Sequence, residues 1–280
     1  MEDFFINKIW QEQFNKNGFV IVPFASQEQL NGLEEIFLKN YRKTTPSDTA
    51  FFYSLLANNA EDSMCLKTEI ANVLEQSYEK TFQHYCAVSE SFLAKPRTVE
   101  SMELHQDWNY TDETMHCSAT VWCPLTTITK QNGALFALKG SHLFFKNFRS
   151  GNLPSARIDV SKELENHLTY LEVKAGDAVI FHPALFHGSC ANQTNSLRVI
   201  AAAVILPENT PISYFHSKSN TEVIQYSMEQ YDFMDCIPEL TTGVMPRKSK
   251  LLNTIKYYHQ VPSEMDLIQK LTIAGLSTLK

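Results

Sequence analysis

The chain has 280 residues, 44% of them hydrophobic, with a formal net charge of −7 and a pI near 5.7. That much apolar material suits one elaborated domain, and the acidic balance argues against a general nucleic-acid binder, which needs a basic face. No apolar run approaches the roughly 18 residues needed to span a bilayer, so no membrane span is expected.

At the start, Met1–Phe5 lacks the basic and apolar regions of a secretion signal. The six cysteines, at 65, 86, 117, 123, 190 and 236, form no C-x-x-C. Reduced thiols, a cytoplasmic location and no cysteine-built zinc site are therefore expected. Residues 3–16 carry Phe5, Ile9, Trp10 and Phe14 at helical spacing, and Gly18 stops that helix before a short strand from Phe19 to Phe24. Ser26 to Gln29 has the pattern of a capping box, after which Leu30, Leu33, Ile36 and Phe37 predict a helix to about Lys43. Thr44 to Asp48, with Pro46, reads as a loop. The longest predicted helix covers 61–83, with Ile70, Val73, Leu74, Tyr78 and Phe82 on one side. Residues 1–85 thus read as helical support for a sheet.

From Ala87 onward short apolar runs alternate with turn residues. Strands are predicted near 87–94, 98–105, 115–124, 133–138, 168–174, 177–182, 185–190 and 197–206. Short, evenly spaced strands of this kind predict a jelly roll, or double-stranded β-helix, over about 86–206. The fold class is therefore mainly β with flanking helices. Asn132-Gly133 reads as a hairpin turn without chemistry. The polar stretch 143–167, with Lys146, Arg149 and Arg157, reads as an insertion able to act as a flap over the barrel mouth. Residues 207–280 form a C-terminal extension with no recognisable motif. With no repeat, low-complexity tract or linker, 1–280 reads as a single domain.

Chemistry concentrates in Met102 to Tyr110. His105 and Asp107 lie one residue apart, so in an extended strand their side chains leave from the same face. Far downstream, His187 follows the apolar strand 177–182, and Arg198 comes eleven positions later. Two imidazoles and one carboxylate are the ligand set of non-haem Fe(II) oxygenases, which leaves three metal sites open. Two can take a chelating 2-oxo acid and the third O2. The far carboxylate of that acid calls for a permanent cation with fork geometry, which arginine supplies. Nine histidines are available. His182 is the strongest competitor to His187; His142 reads as stabilising its turn, and His84, His167, His216 and His259 as structural.

His105-Gln106-Asp107, Trp122, Asn132-Gly133 with Leu135, Gly140-Ser141-His142, and His187-Gly188-Ser189 through Asn192 and Thr194 to Arg198 together resemble the phytanoyl-CoA dioxygenase family of Fe(II)/2-oxoglutarate oxygenases. Phe19 to Phe24 resembles its opening strand. The resemblance spans about residues 10 to 206 and selects His187 over His182, because Ser189 and Arg198 fall on the family pattern only when counted from it. It implies a metal site of His105, Asp107 and His187, and the cofactors Fe(II), 2-oxoglutarate and O2. It also implies that Arg198 and Ser189 hold the distal carboxylate of 2-oxoglutarate while Trp122 flanks it; Thr120, on the same face as Trp122, joins that cofactor-binding set. The expected reaction is hydroxylation of an unactivated C–H bond in a small or medium organic molecule, with release of succinate and CO2. Asp107 argues against halogenation, where a small residue replaces the carboxylate. Desaturation, cyclisation and a protein substrate stay open, and a non-catalytic barrel is the remaining rival. Expected substrate contacts are Trp108, Asn109, Tyr110, Met102 and Phe92, with Arg149 on the flap. Nothing in the sequence sets the oligomeric state.

Overall fold

In the computed structural model, which describes residues 3–44, 51–98 and 100–276, the chain opens with α1 (Lys8–Asn17). The helix begins later than the periodicity predicts because Asn7 caps it, accepting from the amides of Ile9 and Trp10. Phe4 and Phe5 enter the core instead, their amides held by the Gln11 side chain at 2.9 and 3.1 Å. Ile9, expected on the buried stripe, faces solvent. Gly18, at φ 81°, closes α1 and turns the chain into β1 (Phe19–Pro23). Ser26 and Gln29 exchange the two bonds of a capping box, 2.9 and 3.3 Å, and open α2 (Gln27–Thr44). Apart from Thr44, the loop expected over Thr44–Asp48 lies outside the described residues. Next come β2 (Phe52–Tyr53), α3 (Ser54–Ala57) and α4 (Ala60–Thr81).

The β-rich half then runs through β3 (Tyr85–Ala87), β4 (Ser91–Lys95), β5 (Met102–His105), β6 (Ala119–Pro124) and β7 (Leu135–Leu138). It continues with α5 (Lys162–Glu165), β8 (Leu168–Leu171), β9 (Asp177–Phe181), β10 (His187–Ser189) and β11 (Arg198–Pro207). Two antiparallel sheets result. The larger has the order β1-β9-β6-β11-β4-β2, with β3 also on β11, and the smaller the order β5-β10-β7-β8. This is the double-stranded β-helix the strand spacing predicts.

Strand alternation sorts the side chains into two layers. Val121 and Cys123 of β6, Ala178 and Ile180 of β9, and Ala201 and Ala203 of β11 point outward and share a core with Phe14, Leu33, Phe37, Ile70 and Leu74 of the helices. Trp122, Val179, Phe181 and Ile200 point inward, toward Leu135 and Leu171 of the smaller sheet. Each side chain of this size taken fully from water contributes roughly 1.5–3 kcal/mol. A slip of one residue would exchange the layers, so burial on both faces fixes the register.

The same alternation corrects one expected substrate contact. Phe92 is fully buried on the helix side, with its ring 5.4 Å from that of Phe37. Its neighbours Ser91 and Leu93 are the β4 residues that face the barrel cavity.

The stretch 143–167 is packed rather than a free flap. Ile158 and Leu104 exchange backbone bonds at 3.0 Å, Leu164 is fully buried, and Leu153 joins a cluster with Phe215 and Val223. The C-terminal part carries structure that the sequence reading left unassigned. It comprises β12 (Ile212–Ser219), β13 (Glu222–Met228), α6 (Gln230–Thr241), β14 (Lys250–Lys256) and α7 (Glu264–Ile273), with the strands in a third sheet of order β12-β13-β14. Phe233, Met234, Ile237 and Leu240 of α6 share an apolar cluster with Leu55, Val204 and Tyr214. Among the described residues no helix is long and apolar enough to cross a membrane.

Candidate active site

His105 closes β5, His187 opens β10, and the two are direct register partners across that antiparallel pair. Their rings lie 4.5 Å apart. Asp107 follows β5 in a segment pinned from two sides: its amide bonds the Pro183 carbonyl at 3.0 Å, and the Gln106 side chain donates to the carbonyls of Phe145 and Ala184. Asp107 Oδ1 then sits 3.9 Å from His105 Nε2 and 3.7 Å from His187 Nε2. One donor atom from each of the three residues falls within 4.8 Å of the others, the one such cluster among the described residues.

The proton positions follow from the partners. His105 Nδ1 lies 2.9 Å from the Glu103 carbonyl, and His187 Nδ1 lies 3.0 Å from the Leu185 carbonyl. A carbonyl can only accept, so each Nδ1 carries the hydrogen and each Nε2 presents a lone pair. Burial, followed by the neighbouring His187, lowers the pKa of His105 to about 4, so the ring is neutral at neutral pH. Thr120 donates to Asp107 Oδ2 at 3.2 Å, which leaves Oδ1 turned toward the imidazoles. Two imidazoles and a carboxylate converging in this way can hold a divalent transition metal. Thr120, expected in the cofactor-binding set, is thus bonded to the carboxylate of the His/Asp/His cluster.

His182 does not join them. Its Nδ1 accepts from the Ala184 amide at 3.0 Å, and its ring packs against Phe14 and His142 on the helix side.

Deeper along the same wall lie Arg198, Ser189 and Trp122. Arg198 is buried, donates through Nη1 to the Gly133 carbonyl at 2.6 Å, and sits 5.4 Å from the Trp122 ring. Its buried Nε has no partner. Gly133, read as turn geometry alone, thus supplies an acceptor that aims the guanidinium. Opposite Arg198 in the register of β4 and β11 stands Lys95, also buried, which donates to Ser189 Oγ at 3.1 Å and the Cys190 carbonyl at 2.8 Å. Among the described residues no carboxylate pairs with either cation. Burial lowers the Arg198 pKa to about 10; burial, then Arg198 itself, lowers that of Lys95 to about 8. Two buried cations side by side are costly unless an anion arrives. Sequence reasoning missed Lys95, although a lysine ending an apolar strand carries the same signal that singles out Arg198.

A cavity of about 340 Å³ joins these parts. Met102, Trp108, Tyr110, Trp122 and Thr120 line it, together with His105, Asp107, His187, Ser189 and Arg198. Asn109 does not. It is buried, and its Oδ1 accepts from the Arg149 amide at 2.7 Å. Arg149 borders the cavity, but its guanidinium is fully engaged by the Asp107 carbonyl, the Asn147 carbonyl and the Glu113 carboxylate. It is a brace rather than a free anion receptor. Ser91 and Leu93 of β4, Tyr53 of β2 and, from α6, Phe233, Ile237 and Thr241 also line it. No local motif marks Tyr53 or the α6 residues, because they come from the shortest strand and from a helix that the strand pattern does not reach.

A double-stranded β-helix with a His/Asp/His cluster at its mouth and a buried arginine behind it is the arrangement of the Fe(II)/2-oxoglutarate oxygenases. The chain belongs to the phytanoyl-CoA dioxygenase (PhyH) family, whose model matches residues 14–200. Over 107 residues it is 32% identical to the human peroxisomal phytanoyl-CoA dioxygenase; that match spans 34% of this chain and 30% of the relative, so less than a third of the human protein is covered. Among solved structures, the fold is similar to EvdO2 from Micromonospora carbonacea var. aurantiaca complexed with 2-oxoglutarate, with a TM-score of 0.52 and 17% identity over 74% of this chain and 94% of that one. It is also similar to the non-heme alpha ketoglutarate dependent carbocyclase SnoK from nogalamycin biosynthesis, with a TM-score of 0.50 and 18% identity over 74% and 86% of the two chains. At such identities the likeness is one of fold.

Proposed function

We propose that this chain is an Fe(II)- and 2-oxoglutarate-dependent oxygenase that hydroxylates an unactivated C–H bond of a small or medium organic molecule. The observation that carries this reading is the pairing of a His/Asp/His donor set with a buried, carboxylate-free arginine on the same cavity wall. The donor set fits Fe(II), and the unpartnered Nε of Arg198 fits a carboxylate entering from solution.

His105, Asp107 and His187 would hold the metal. Arg198 and Ser189 would bind the distal carboxylate of 2-oxoglutarate, with Lys95 donating to the Ser189 hydroxyl and adding its charge, and Trp122 beside the guanidinium. When bound, Fe(II) and 2-oxoglutarate supply the oxidising chemistry with O2, and the cosubstrate leaves as succinate and CO2. The chain's own residues orient and shield. The Glu103 and Leu185 carbonyls keep both imidazoles in the Nε2-donor tautomer. Thr120 holds the carboxylate of Asp107 in place, and Trp108, Tyr110 and the α6 side chains close the substrate side against water. The carboxylate at position 107 favours hydroxylation over halogenation. A cytoplasmic location belongs to the same reading, supported by six cysteines that are all unpaired.

Incubation with Fe(II), ascorbate and 2-oxoglutarate, followed by succinate assay, tests it. Turnover that rises with a substrate from a metabolite pool, together with a product heavier by one oxygen, is the expected result. A protein that binds metal and 2-oxoglutarate yet forms no succinate with any pool would be a binding barrel.

A further inference from the structure

Ser91 of β4 pairs with Ala202 of β11, four residues along from Arg198, and the part of the cavity beside it, a lobe, is lined by Tyr53, Ser91, Trp108, Tyr110, Phe233 and Ile237. Its polar groups are hydroxyls. Tyr53, Ser91 and Tyr110 line it together, so three hydroxyl-bearing side chains share this part of the wall. Among the described residues neither phenol donates to a backbone carbonyl or a carboxylate. The aromatic bodies are fixed by packing: Tyr110 meets Phe233 edge-on at 5.5 Å, and Trp108 meets Tyr214 at 6.2 Å.

The lobe offers no free charge. Arg149 is engaged on all three nitrogens, and Arg157 stands at the rim, 65% exposed and 3.9 Å from Glu103. Arg198 lines the cavity four residues farther along β11, Lys95 does not line it, and Asp107 belongs to the His/Asp/His cluster. A carboxylate or ammonium brought into this lobe would give up its water without gaining a partner. Hydroxyls, by contrast, can both donate to and accept from an uncharged oxygen function. Space sets a second limit. The whole cavity, about 340 Å³, is near the bottom of the roughly 300–1,000 Å³ usual for one small ligand. With 2-oxoglutarate at the Arg198 end, the lobe admits only a molecule of similar size, or the end of a larger one.

We propose that Tyr53, Ser91 and Tyr110 form the substrate-recognition site, and that it takes an uncharged oxygen function (alcohol, ketone or amide) on a small apolar body seated between Trp108 and α6. The inference rests on the oxygenase reading above and names its substrate class. In the Mn(II)- and 2-oxoglutarate-loaded protein under anaerobic conditions, tryptophan fluorescence is titrated with two matched series. The first is cyclohexanol, cyclohexanecarboxylate and cyclohexylamine; the second is benzyl alcohol, benzoate and benzylamine. The alcohols are expected to bind at least tenfold more tightly than their charged partners. Tyr53→Phe and Tyr110→Phe should each weaken the alcohols about three- to tenfold, as for one lost neutral hydrogen bond, with Mn(II) and 2-oxoglutarate affinities as in wild type. Equal or tighter binding of a charged member, no binding of either alcohol, or unchanged affinity in both variants would overturn the assignment. If the wild-type protein binds neither Mn(II) nor 2-oxoglutarate, the oxygenase reading falls and takes this inference with it. Normal cosubstrate binding without the alcohol preference removes this inference alone.

Discussion

Arg149 donates its Nε hydrogen to the backbone carbonyl of Asp107 at 2.6 Å, from a guanidinium buried against the Glu113 carboxylate at 2.5 Å. The backbone of Asp107 is thereby held from the stretch 143–167, which is itself tied to the C-terminal part, since Tyr257 donates to Asn147 at 2.5 Å and Asn147 to the Gln260 carbonyl. Arg149→Lys keeps the charge but cannot reach three acceptors at once. Fe(II) affinity should fall about 10- to 100-fold, the usual cost of losing support behind a metal ligand, with 2-oxoglutarate binding altered less. Equilibrium metal titration of the folded variant checks it. Arg149→Met strands a buried carboxylate and should also lower stability by about 3–5 kcal/mol.

Asp107→Ala should abolish succinate formation and leave the fold intact, because the side chain is 30% exposed and packs no core. Stability should stay within about 0.5 kcal/mol of wild type. His187→Ala should likewise lose Fe(II). His182→Ala should keep the metal and lose stability instead, since that ring fills the space between Phe14 and His142. Metal affinity and Tm measured on both histidine variants separate the two roles, and the reverse pattern would move the third ligand.

Arg198→Lys should raise the KM for 2-oxoglutarate about ten- to a hundredfold, as a charged hydrogen bond is worth roughly 1.5–3 kcal/mol. Lys95→Met should also raise it, yet leave the apo protein as stable or more so, because it removes one of two adjacent buried cations. The wild-type KM should climb as the pH rises through about 8, where Lys95 loses its proton, and Lys95→Met should flatten that rise. A Lys95→Met protein with reduced apo stability and an unchanged KM would make Lys95 a purely structural donor.

Acid sensitivity should come from the other face of the β-helix. Burial lowers the pKa of both His142 and His182 to about 3, from an ordinary 6.5. Above pH 6.5 both rings are neutral, folded or unfolded. Between about 6.5 and 3 only the unfolded chain takes up these protons, so stability falls with falling pH by up to about 1.4 kcal/mol per unit for each ring. Tm measured from pH 7.5 to 5 should drop less steeply in His142→Asn than in wild type. Parallel slopes would assign the acid loss to other groups.

What the sequence disclosed follows the range of its signals. Period-two alternation and turn residues locate β4 to β11, and the His105/Asp107 spacing with His187 and Arg198 locates the His/Asp/His cluster and the buried guanidinium, because one strand carries each constraint. Phe92 was misplaced because a strand's existence is easier to read than its parity; one step along β4 separates the helix core from the cavity. Arg149 reads as a substrate contact because a charge in a polar stretch looks free to bind until Glu113 and the Asp107 carbonyl are brought to it. Tyr53 and α6 were invisible because only tertiary packing carries them to the mouth.

His187 and Ser189 leave β10 on the same face, two residues and therefore about 6.7 Å apart along the strand. Gly188 between them cannot give way, since a Cβ there would lie 2.4 Å from the Met102 carbonyl oxygen and 2.6 Å from the Phe136 ring. On the proposed assignment, β10 is a ruler with the metal at one mark and the carboxylate anchor at the other. It measures the carbon count of the oxo acid, so the four-carbon and six-carbon homologues, oxaloacetate and 2-oxoadipate, should fall short of or overrun a distance that no side-chain rotation can reset.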